Sequence, residues 1–106
     1  MASFQELWLE YGRARRPANI GARVDGLLIG ELDDTVQDVA SSFAGMGSAV
    51  GSARVAQLGL ALADITRVLP SLQPEATRAY FDLASRVARA TLAAIAAAGP
   101  DSQLNG

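Results

Sequence analysis

Apolar residues return at three- and four-residue steps through four stretches of this chain, and a proline or a glycine cluster closes each stretch. That rhythm is the period of an α-helix with one buried face. It predicts an all-α fold, a small antiparallel bundle of about four helices joined by short corners. The expected helices span approximately 3–15, 27–44, 52–69 and 74–98, inside one domain covering 1–99, with a flexible polar tail at 100–106.

The first stretch opens with Ser3 and Glu6 at capping-box spacing, in which the hydroxyl and the carboxylate each satisfy a free backbone N–H. Phe4, Leu7, Trp8 and Tyr11 follow as an aromatic stripe, and Arg13, Arg15 and Arg16 precede Pro17. Arginines there suit the negative end of the helix dipole. In the second stretch Leu27-Leu28-Ile29 lies between glycines and fits either a strand or the start of a helix. Helix is favoured, because Leu28, Leu32, Val36, Val39 and Phe43 continue the helical step. Glu31, Asp34 and Asp38 fall on the opposite side, with Asp33 and Gln37 beside them, and Gly30 can fray the helix or admit a close neighbour.

Gly45–Gly51, uncharged and rich in glycine, reads as a turn or mobile loop. Ser52 is the expected cap of a third helix with Val55, Leu58, Leu62, Ile65 and Leu69 on one side, stopped by Pro70. Pro74 is placed as the first residue of the fourth helix. Its inner face is Tyr80, Leu83, Ala84, Val87, Thr91 and Ile95, and Gly99–Pro100 is the expected stop.

Function is less legible. The chain has no cysteine, no histidine and no lysine. Disulfides, Cys/His zinc sites, histidine triads and Ser–Lys pairs are therefore excluded. A net charge of −2 lacks the basic excess of a general nucleic-acid binder, so no nucleic-acid partner is expected. No apolar run approaches the ~20 residues of a bilayer span, and Met1–Leu7 does not read as a secretory signal. No membrane span and a cytoplasmic setting are the expectations.

Twenty-one alanines stand against three Phe, two Tyr and one Trp. Alanine favours helix but buries little area, so such helices must approach closely or recruit another chain. The fourth helix offers Ala90, Ala94 and Ala97 as a seam and Arg78, Arg86 and Arg89 as a charged face, opposite in sign to the acidic second helix. The preferred function is a non-enzymatic protein–protein interaction module, a homo-oligomer or the partner of another helical protein, with no cofactor. One alternative is an all-α Mg²⁺-dependent nucleotide phosphohydrolase with Glu31, Asp34 and Asp38 as oxygen ligands. A second is a small-molecule-binding bundle with a pocket of Trp8, Tyr11, Phe43 and Tyr80.

Overall fold

The computed structural model describes the backbone of residues 3–105 and the side chains of 3–47 and 49–98. Four helices pack on one another: α1 (Phe4–Arg13), α2 (Ile29–Met46), α3 (Ser52–Val68) and α4 (Glu75–Asn105). The fold is an all-α bundle, with one small addition. Residues Arg23–Val24 (β1) and Leu27–Leu28 (β2) pair antiparallel as a hairpin, Arg23 opposite Leu28 and Val24 opposite Leu27.

That hairpin corrects the expected start of the second helix at 27. Asp25 and Gly26 both take positive φ, 51° and 81°, as a two-residue hairpin turn of the right twist requires. The Asp-Gly pair therefore overrides the helical continuation, and Leu27-Leu28 becomes strand before the chain enters α2 at Ile29.

Other boundaries follow local chemistry. The capping box forms as expected: the Ser3 hydroxyl accepts from the Glu6 N–H at 3.2 Å, and Glu6 accepts from the Ser3 N–H at 3.1 Å. Gly45–Gly51 is an ordered corner rather than an open loop. Helix α2 runs through Gly45 to Met46, Gly47 closes it at φ 63°, and one 3₁₀ turn leads on. Buried Val50 pins this corner to the core. Gly51, not Ser52, is the N-cap of α3, and no side chain caps it.

Pro70 ends α3 in a 3₁₀ turn at Leu69–Ser71. The Pro74 carbonyl then receives the N–H groups of Thr77 and Arg78, so Pro74 stands just before α4. Helix α4 continues past the expected stop at Gly99–Pro100; proline removes one backbone donor, but its fixed φ is itself helical. Of the expected polar tail, the side chains of 100–105 and all of Gly106 lie outside the described residues.

Helix α4 is the spine, touching α1, α2 and α3. One stripe cannot serve three neighbours, so its buried arc is wide. It holds Tyr80, Leu83, Ala84, Val87, Thr91 and Ile95, and beyond the sequence expectation Phe81, Ser85 and Ala88. Phe81 is the largest fully buried side chain among the described residues. The facing core comes from Ile29, Leu32, Val36, Val39 and Ala40 of α2 and Leu58, Ala61, Ile65 and Val68 of α3. No helix is long and apolar enough to cross a membrane among the described residues.

Candidate functional site

The polar centre of the molecule is Asp33, which sequence reasoning left beside a solvated acidic face. It is fully buried. It sits four residues after Ile29, three before Val36 and seven before Ala40, so it rides on the apolar stripe of α2. Burying a carboxylate is costly unless its lone pairs are satisfied. Here four side chains from four segments satisfy them.

Tyr11 of α1 donates its hydroxyl to Oδ1 in a short hydrogen bond. Tyr80 of α4 lies 2.9 Å from Oδ1 and 3.0 Å from Oδ2. Arg16, in the connection after α1, places Nε 2.9 Å from Oδ2 and Nη2 3.1 Å from Asp34. Gln37, one turn along α2, donates Nε2 to Oδ2 at 2.9 Å. Among the described residues no buried side-chain polar atom lacks a partner. Both carboxylate oxygens accept from these in-chain donors.

The electrostatics agree. Burial first, then the adjacent Asp33 carboxylate, pushes the Tyr80 phenol up to about 12 and the Tyr11 phenol higher still. Both therefore remain protonated donors at neutral pH. Burial works against the Arg16 charge, but Asp33 beside it outweighs that and raises its pKa above the ordinary value. In the folded chain, phenol ionisation should begin only well above pH 10. Because the folded value lies above the unfolded one, the tyrosines' contribution is complete below about pH 10. It is lost as pH rises through about 12. Ultraviolet titration of phenolate absorbance, followed beside helical circular dichroism, should show ionisation and unfolding together; ionisation near 10 with helix retained would contradict the burial of this pair.

Two clefts flank Trp8, the first of them beside the hub. One, of about 220 Å³, is lined by Trp8, Tyr11, Gly12, Ala14, Arg16, Gln37 and Tyr80. The other, of about 380 Å³, is more apolar and lies where α1 crosses α2 and α4, among Ser3, Phe4, Gln5, Trp8, Phe43, Ala44 and Ala94. Trp8 borders both. The pocket expected from Trp8, Tyr11, Phe43 and Tyr80 is thus divided: the tyrosines belong to the polar cleft and Phe43 to the aromatic one. Phe4 and Trp8 stack with centroids 6.1 Å apart, and Phe43 meets Phe4 edge-on at 4.9 Å. All three rings remain partly exposed. Leu9, next to Trp8, is 56% exposed, and Met46, one turn beyond Phe43, is 55% exposed.

The remaining expected residues are placed differently. Glu31, Asp34 and Asp38 do not converge as a metal site. Asp34 is bound by Arg16 and Asp38 by Arg54 of α3 at 2.6 Å, and among the described residues no three carboxylates are placed to hold an ion. Arginines from the neighbouring segments occupy two of the three acids. The acidic helix is thus matched by Arg16 and Arg54 rather than by α4. On α4, Arg78, Arg86 and Arg89 are exposed, while Ala90 packs against the core, Ala94 lines the aromatic cleft and Ala97 faces solvent. Arg78 also donates to the Leu72 carbonyl at 3.2 Å.

No family model, no curated protein and no solved structure matches the chain.

Proposed function

We propose that this chain is a non-enzymatic interaction module that self-associates through the aromatic cleft of Phe4, Trp8 and Phe43. The observation that carries the reading is that cleft: three aromatic rings left partly exposed at a helix crossing. Half-covered aromatic groups of this kind are what protein interfaces bury most profitably, tryptophan above all. The saturated state of Asp33 supports the non-enzymatic part, since its lone pairs are already committed to in-chain donors. The alanine seam gives less support than its sequence suggests, because Ala90 and Ala94 already have neighbours within the chain.

Absolute mass by light scattering, over a hundredfold dilution and at two salt concentrations, tests this directly. The mass should rise above the 11.0 kDa of one chain as concentration increases. It should change little with salt, because screening acts on charges and not on apolar contact. Trp8→Ala should remain a single chain throughout. A single-chain mass for the wild type at every concentration would overturn self-association.

The smaller cleft favours a second reading, a small-molecule site. It sets Trp8 beside the polar groups of Tyr11, Arg16 and Gln37. Titrating small aromatic compounds against the emission of this sole tryptophan distinguishes the two, since a ligand would shift the emission without changing the mass.

A further inference from the structure

We propose that α1 and the Arg16 tether form a detachable strap latched on Asp33, which thereby controls whether the aromatic cleft exists. This rests on the reading of that cleft as the contact surface. Its walls are split between two parts of the fold. Phe4 and Trp8 belong to α1, whereas Phe43 and Ala44 belong to α2 and Ala94 to α4. The cleft is present only while α1 is docked.

Three observations make α1 a separable element. First, it has ten residues, below the ~12–15 at which an isolated helix holds even marginally in water, so it is helical because it is docked. Secondly, α2, α3 and α4 pack on one another directly and keep a core that includes Val36, Leu58, Ile65 and Val87. Thirdly, its polar attachment converges on one residue. Among the described residues, Tyr11 makes the side-chain hydrogen bonds that join α1 to the rest of the fold, and all of them end on Asp33. Arg16, just beyond the helix, ends on Asp33 and Asp34.

Asp33 is therefore a positioning residue. It touches no wall of the aromatic cleft, yet it holds the helix that supplies two of its rings. Undocking is local unfolding of α1, a change of order in one segment while the other helices remain. The groups facing the latch are Tyr11 from α1, Arg16 from the connection, Asp34 and Gln37 from α2, and Tyr80 from α4.

The test is amide hydrogen exchange read by segment on the full chain, beside Trp8 emission and mass. Asp33→Asn keeps the shape and removes the charge. It should raise exchange in residues 3–13 while 29–46 and 75–95 stay protected, move Trp8 emission to the red, and weaken association. Tyr11→Phe, which removes only the hydroxyl, should act in the same direction, opening α1 roughly tenfold more often on the usual worth of one hydrogen bond. If either variant loses protection in all helices together, or if neither changes exchange in 3–13, the strap is overturned. Exchange is read on the dilute wild type as well, so absence of self-association would sink the proposed function while leaving the strap to stand or fall on its own measurement.

Discussion

Asp33→Ala should lower the free energy of unfolding by about 2–4 kcal/mol, the scale for leaving two buried donors without their acceptor. The cost arises from what remains. The buried Tyr11 and Tyr80 hydroxyls lose their acceptor, and each unsatisfied buried donor costs roughly 1–3 kcal/mol. Arg16 suffers less, because its side chain is 47% exposed and can turn to water. Urea denaturation measures the loss. Asp34→Ala is the internal comparison: Asp34 is 70% exposed, and surface ion pairs contribute little, about 0–1 kcal/mol. Equal losses at the two positions would show that Asp33 is not the hub.

Gly30→Ala should destabilise by about 1–3 kcal/mol, the range for forcing atoms into a packed site. Alanine normally stabilises a helix interior relative to glycine by up to ~1 kcal/mol, so the sign here is informative. A Cβ at Gly30 would stand 2.8 Å from the Ile20 carbonyl oxygen. That oxygen cannot simply withdraw, because the Ile29 N–H holds the Ala22 carbonyl after it at 3.2 Å and side chains hold the connection before it. Arg16 holds it to Asp33, and Asn19 donates to the Gln73 carbonyl at 2.9 Å and accepts from Thr77 at 2.8 Å. Gly12→Ala is the control, with nothing within 4 Å of its Cβ, and should be neutral or stabilising. Thermal unfolding of the two variants should move in opposite directions; a stabilised Gly30→Ala would mean that the connection is loosely held.

What the sequence made legible was whatever depends on neighbours in the chain. Ser3 and Glu6 announce the first helix because a capping box is a four-residue event. Pro70 announces the α3–α4 corner for the same reason. The Asp25-Gly26 turn was equally local, yet the helical step of Leu28, Leu32 and Val36 masked it. Gly30 allowed two readings, and the approach of Ile20 selects the close neighbour. Phe81 escaped because α4 packs against three helices, and a single-stripe expectation is too narrow for a central helix.

The Asp33 site escaped for a different reason. Each of its members looks ordinary alone: an acid in an acidic run, an arginine at a helix end, tyrosines on apolar faces. Gln37 is one turn away, but the other three partners lie 17, 22 and 47 residues off, and no local pattern links those. The available signal was register. An aspartate on the same stripe as Ile29, Val36 and Ala40 must be buried, and a buried carboxylate requires donors. Tyr11 and Tyr80, polar-tipped residues on buried faces of their own helices, were the candidates to supply them.

Hydrogen exchange compared between dilute and concentrated protein shows whether Phe4, Trp8 and Phe43 form a contact surface. Added protection at high concentration should be confined to residues 3–13, the end of α2 around Phe43–Met46, and α4 around Ala94. Unchanged protection at every concentration, or protection gained instead around the exposed Leu60 of α3, would contradict it.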